Sequence, residues 1–170
     1  MNILVAFASR HGSTRAIAET ITAELDSCGH RTVFLDVSNV TSLDGVDAVV
    51  AGSGVYLGRW LAPARDFLDR FQPELSTLPT WLFSSGQIGD QPVSEPQDVT
   101  TRQDTIQMVE HRCFAGRLAL DSLGLGERLM SRMIGSAEGD YRDWEEIRTW
   151  ARDIGHALTQ ATAVPDAATV

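Results

Sequence analysis

The residues with the clearest capacity for chemistry stand at three junctions. Ser9-Arg10-His11-Gly12-Ser13-Thr14 separates an apolar run from a helical pattern, and Gly52-Ser53-Gly54-Val55-Tyr56-Leu57-Gly58-Arg59-Trp60 and Ser84-Ser85-Gly86-Gln87-Ile88-Gly89-Asp90 each follow another apolar run. The first junction sets hydroxyl donors and a glycine ahead of a helix, whose opening amides and dipole favour a negative group. Gly12 lets the backbone approach closely or take a positive φ. Neither G-x-G-x-x-G nor a Walker pattern occurs there. That disfavours a dinucleotide or a nucleoside triphosphate and fits a single terminal phosphate, fully wrapped. The alternative is that Ser13 only caps the helix. The other two junctions are glycine-rich, so backbone amides and carbonyls can meet a flat heterocycle edge-on while Tyr56 and Trp60 stack on its face. Ordinary core or rim packing is the competing reading for both aromatics.

These junctions need elements to hold them. Asn2 to Phe7 reads as a buried strand, and Ser13 to Cys28 as a helix with Ala16, Ile17, Ile21 and Leu25 at helical spacing and Gly29 at its C-terminal end. Arg31 to Val37, Asp47 to Ala51 and Thr80 to Phe83 read as further strands, and Pro63 to Phe71 as a helix. Gln91 to Arg112 is polar and irregular, with a short helix expected over Arg102 to Val109. A fifth strand is expected from Cys113 to Leu118. The last helix is expected over Tyr141 to Thr159, with Asp140 as its N-cap and Trp144, Ile147, Ala151, Ile154 and Leu158 on one stripe. This alternation predicts an α/β fold, a three-layer, doubly wound, five-stranded parallel sheet. Right-handed crossovers then bring the three junctions to one sheet edge, where ligands of such folds bind. One domain is expected over 1–159, with a flexible tail over 160–170.

Composition narrows the function. The chain has 170 residues and a formal net charge of −9, which argues against a nucleic-acid partner. All 14 basic residues are Arg, so Schiff-base chemistry and any other lysine mechanism are excluded. The 2 Cys, Cys28 and Cys113, are far apart, which disfavours a disulfide framework and a cysteine metal site. His11, His30, His111 and His156 are scattered. His11 is placed to touch phosphate; the other three read as surface or capping residues. No apolar run approaches the roughly 20 residues of a membrane span, and the N-terminus lacks a signal-peptide pattern. The expected location is cytoplasmic, with room for peripheral contact at the inner face of a membrane.

Taken together, the junctions resemble those of the flavodoxin-like family over Asn2 to about Leu158. Ser9-x-x-Gly12-x-Thr14 is similar to its phosphate loop, although His11 stands where electron-carrier flavodoxins usually have Ser or Thr. "GQIGDQ" looks like the Gly-Asp turn that holds the pyrimidine side of the flavin. "RCFAGRLALDSLGLGERLMSRMIG" and "DYRDWEEIRTWARDIGHAL" resemble the flavodoxin-type, menaquinone-dependent protoporphyrinogen oxidases, in which a long segment precedes an Asp-Trp-containing last helix. Gly124 to Gly139 would be that segment.

The resemblance implies FMN as cofactor. It implies binding residues Ser9, Arg10, His11, Gly12, Ser13 and Thr14, then Ser53, Gly54, Val55, Tyr56, Leu57, Gly58 and Trp60, then Ser84, Ser85, Gly86, Gln87, Gly89 and Asp90. The function so implied is an FMN-dependent oxidoreductase that oxidises a porphyrinogen-type substrate, as in heme biosynthesis, and reduces a quinone. The cofactor does the redox chemistry and no catalytic acid–base pair is required of the protein. Met130 and Met133 would meet a lipid-soluble quinone, a core helix being the competing reading, and Arg128 and Arg132 would face polar headgroups or porphyrin carboxylates. The rival function is a pure electron carrier docking basic redox partners through its acidic surface. A flavin-free binding module on the same fold is the third.

Overall fold

A computed structural model describes residues 1–87, 95–118 and 139–163. Its framework follows from the apolar runs. Strand β1 (Asn2–Ala8) buries every residue from Ile3 onward and is an inner strand of a parallel sheet. Strand β2 (Arg31–Asp36) pairs with one side of β1 and β3 (Ala48–Tyr56) with the other. Strand β5 (Thr80–Gln87) follows β3, and β6 (Met108–Ala115) closes the sheet, giving the order β2-β1-β3-β5-β6 with all four pairings parallel. A two-residue strand β4 (Arg59–Trp60) folds back antiparallel on β3. Another small pair, β7 (Arg117–Leu118) and β8 (Gly139–Asp140), stands apart. The order reverses at β1, so a crevice opens between the carboxyl ends of β1 and β3.

Helix α1 (Ser13–Ser27) buries Ile17, Ala18, Ile21 and Leu25. It ends as the Gly29 position requires. Gly29 takes φ 87°, its amide donates to the Asp26 carbonyl, and the His30 amide donates to that of Leu25, a complete Schellman motif. Helix α1 and the last helix, α5 (Trp144–Ala163), cover one face of the sheet. Ile3, Val5, Phe7, Trp81 and Phe83 meet Ile17, Ile21, Ile147, Trp150 and Ile154 there. On the opposite face Leu4, Ala6, Val49, Ala51 and Leu82 pack against Phe67 and Leu68 of α2 (Ala62–Arg70) and Leu75 of α3 (Gln72–Leu75). Gly52 belongs to the packing on the α1–α5 face: a Cβ there would lie 2.1 Å from Cζ of Phe83 on the neighbouring strand.

The elements depart from expectation in identifiable ways. β3 and β5 run on to Tyr56 and Gln87, so Ser53 to Tyr56 and Ser84 to Gln87 are strand rather than loop. Pairing on both sides holds their glycine-rich backbone extended, with Ser53 opposite Ala8 and Ser84, and Ser84 opposite Cys113. The short helix expected over Arg102 to Val109 is instead α4 (Gln97–Thr100), and Met108 already opens β6. An edge strand is half solvated, and Val109 is 54% exposed, so its sequence lacks the continuous apolar run of an inner strand. Asp140 lies in β8. Asp143 caps α5, its Oδ1 accepting the Glu145 and Glu146 amides at 3.0 Å each. α5 continues past Thr159 to Ala163. Gly89, Asp90 and the segment from Gly124 to Met133 and beyond, Gly139 excepted, lie outside the described residues. Among the described residues no helix is long and apolar enough to cross a membrane.

Candidate functional site

The turn after β1 brings Gly12 to φ 81° and delivers the chain into α1 without a side-chain cap. The reading of Ser13 as a simple helix cap is thereby corrected. Its Oγ accepts the Arg117 amide at 3.1 Å, and Arg142 Nη1 donates to its carbonyl at 3.4 Å. The first amides of α1 keep their outward-pointing N–H groups and the positive end of the helix dipole. Arg142 lies against the start of α1. The Arg142 side chain is 6% exposed and forks onto both oxygens of Asp140, at 2.7 and 2.6 Å, which holds that carboxyl below the usual carboxylate range.

Close approach joins the junctions. A Cβ on Gly54 would lie 3.4 Å from Thr14 Oγ1, so the strand end of β3 touches the start of α1. Gly86 takes φ 143°, and a Cβ there would come within 2.9 Å of the Val55 carbonyl. Gly116 meets Gly86 at 3.0 Å by the same measure. Glycine is thus required at 86, where both the backbone angle and the packing exclude a side chain. Leu57 and Gly58 form a two-residue turn with φ 51° and 73°, as a type I′ hairpin demands, and Leu57 is 85% exposed. Tyr56 lies beside it at the rim. The Arg10 guanidinium sits 5.7 Å above its ring, and the His11 ring is 6.4 Å away.

The expected site hydroxyls divide by what they already bind. Ser53 is fully buried; its Oγ donates to the Gly54 carbonyl at 2.9 Å and accepts the Leu61 amide at 3.0 Å. Ser84 Oγ accepts from Trp60 Nε1 at 2.8 Å and lies 2.8 Å from His111 Nε2. Ser85 Oγ is buried with no hydrogen-bond partner among the described residues. An orphaned buried hydroxyl costs about 1–3 kcal/mol, so this one suits a ligand at the carboxyl end of β5. With the uncapped α1 start and the tight glycines, it makes the corner fit a phosphate-bearing planar cofactor.

Trp60 is not the exposed cover expected of it. It is 3% exposed, its indole is spent on Ser84, and its amide donates to Asp98 Oδ2 at 3.0 Å. Tyr56 remains as the aromatic at the rim. Asp98 is buried too. Burial pushes its carboxyl up, but hydrogen bonds from Arg59 and the Trp60 amide, with the charges of Arg59 and Arg65, carry it below the ordinary carboxylate value. His111, read as a surface or capping residue, has a side chain only 2% exposed. Its strand position between two charged residues hid it. Asp98, Arg117 and Arg142 were missed because their roles depend on contacts 38 to 129 residues distant.

An open parallel sheet with an uncapped helix start and glycine-lined strand ends is the α/β architecture on which nucleotides and flavins are bound beyond the strand ends. Residues 4–145 match the family model described as Flavodoxin domain, and the chain belongs to that family. The family implies a flavin cofactor and a redox role. The chain is 26% identical to protoporphyrinogen IX dehydrogenase [quinone] of Escherichia coli K12, over 95% of this chain and 99% of that protein. Among solved structures it is similar to a flavodoxin from the domain Archaea, with TM-score 0.65, 17% identity and coverage of 94% and 99% of the two chains. It is also similar to oxidised Flavodoxin 2 from Bacillus cereus, with TM-score 0.60, 19% identity and coverage of 95% and 99%.

Proposed function

We propose that the protein is an FMN-dependent oxidoreductase that takes electrons from a reduced, porphyrinogen-type substrate and passes them to a quinone. The observation that carries the FMN reading is the uncapped start of α1 beside Ser9, Ser13 and Thr14, a corner sized by one turn and lacking a dinucleotide motif. In this reading the α1 amides and those hydroxyls hold the phosphate. Gly54 and Gly86 bring backbone against the ring, Tyr56 covers its outer face, and Ser85 donates to it. Gln87, Gly89 and Asp90 complete the ring edge, as the resemblance implies. Bound FMN would supply the exchange of two electrons. The protein's share is to bind, orient and shield. Similarity to the E. coli quinone-linked dehydrogenase across nearly its whole length supports the choice of substrate and acceptor. The setting is cytoplasmic, with the quinone met at a membrane surface.

The net charge of −9 favours one second reading, an electron carrier whose acidic surface docks basic redox proteins. Two measurements separate them. Heat release and chromatography of the cofactor from purified protein should yield FMN, and FAD alone would defeat the single-phosphate argument. Anaerobic mixing with protoporphyrinogen and a naphthoquinone should give steady turnover. A protein that is reduced once and turns over only with a redox-protein partner is the carrier.

A further inference from the structure

Behind the hydroxyls of the site runs a polar thread that the proposed chemistry does not use. Trp60 Nε1 donates to Ser84 Oγ at 2.8 Å, Ser84 Oγ lies 2.8 Å from His111 Nε2, and His111 Nδ1 lies 3.4 Å from Glu95 Oε1. Cys113 Sγ is 3.8 Å from the same Nε2. The thread links β4, β5, β6 and Glu95, two residues ahead of α4. Trp60, Ser84 and the His111 side chain are buried, Cys113 is half-buried, and the Glu95 side chain is 46% exposed.

Donor and acceptor chemistry sets its direction. An indole only donates, so Trp60 occupies a lone pair of Ser84. An ionised carboxylate only accepts, so the nitrogen facing Glu95 must carry a proton. A neutral imidazole has one N–H, which leaves Nε2 as an acceptor; Ser84 must therefore donate its hydroxyl proton to it. Every group in the thread is satisfied in this one arrangement. Burial keeps His111 neutral, outweighing the nearby carboxylates of Glu95 and Glu110, and holds its pKa below the ordinary 6.5. Burial likewise pushes the Cys113 thiol up to about 11, so it stays an uncharged S–H. If the ring gains a proton, Nε2–H points at Ser84 Oγ. The serine proton must then turn away, and the Cys113 sulfur opposite Ser84 in the strand register is the neighbour that can take it.

We propose that His111 is a positioning residue of the flavin site: with its proton on Nδ1 and anchored by Glu95, it fixes Ser84 and so the strand end that presents Ser85 and Gly86. The assignment rests on the flavin reading above. It predicts that flavin binding senses the charge on His111, although the ring is on β6 and touches Ser84 rather than the site's rim.

Long-range proton–nitrogen NMR of the flavin-free protein should show His111 Nδ1 as the protonated nitrogen at neutral pH and a titration below 6.5. FMN titration by fluorescence should show affinity falling as pH drops through that titration. His111→Gln offers a carbonyl to Ser84 and an amide to Glu95. It should keep neutral-pH affinity and lose the pH dependence. His111→Phe should weaken FMN about tenfold at every pH, with folding checked by circular dichroism. A proton on Nε2, a ring charged at neutral pH, or a pH dependence that survives in His111→Gln overturns the assignment alone. A parent protein that binds no flavin overturns the functional reading, and this assignment with it.

Discussion

The two faces of the sheet are built on different terms. Toward α1 and α5 the interior is apolar and aromatic: Phe83, Phe114 and Trp150 meet tilted or edge-on with centroids 5.4–6.2 Å apart, and ion pairs such as Arg152–Glu24 stay at the rim. Toward α2 the interior holds Ser53, Thr80, Ser84 and Asp98, all nearly inaccessible and all hydrogen-bonded. Ser85 continues the Trp81, Phe83 alternation and so belongs to the apolar side, where its hydroxyl has no hydrogen-bond partner among the described residues. The apolar face supplies cohesion. The polar face specifies where the strand ends lie, because buried donors and acceptors tolerate few arrangements.

The comparison can be broken most severely on the apolar side. Phe83→Ala should cost about 3–5 kcal/mol in urea unfolding, the usual loss for a buried aromatic. Its effect on Ser84 and His111 should be small, and comparable damage to the polar thread would mean the two faces are not separable. Asp98→Ala comes next, at about 1–3 kcal/mol, since it orphans the buried Trp60 amide. Its pH signature is distinctive. The folded carboxyl titrates below its unfolded value of about 3.8, so its contribution is complete above that pH and is lost as pH falls through the lower, folded value. Asp98→Asn should therefore flatten the acid limb of the stability curve.

Ser85→Ala should act in the opposite sense. Removing an unpartnered hydroxyl should stabilise the flavin-free protein by about 1 kcal/mol while weakening FMN. A destabilised variant would show that Ser85 is already satisfied and that the two faces are alike. Leu57→Gly should have the smallest effect, a gain of up to about 1 kcal/mol in thermal unfolding, because it relieves a left-handed leucine.

Much of this architecture was legible from pattern. Ile17, Ile21 and Leu25 recur at helical spacing, Gly29 marks a helix end, and the apolar runs alternate with helices. The turn at Gly12 was legible because turn chemistry is local. What escaped was set by pairing across the sheet. Ser84 and Ser85 read as one hydroxyl-rich loop, yet strand alternation turns one toward His111 and the other away. Trp60 read as a rim aromatic because nothing nearby in sequence announces Asp98, which draws its backbone inward. His111 sits in an edge strand whose charged neighbours disguise a buried side chain.

The contact between Gly52 and Phe83 has a consequence for how such a sequence can change. Any side chain at 52 collides with the ring, and any smaller residue at 83 opens a void over the glycine. Each position forbids what the other would need as a first step. An exchange of volume between these two central strands is open only to a paired substitution, so gradual, one-at-a-time divergence is blocked at the middle of the sheet. The strand ends beyond it, where turn and rim residues such as Leu57 answer to solvent, are left as the ground on which variants can explore new ligands.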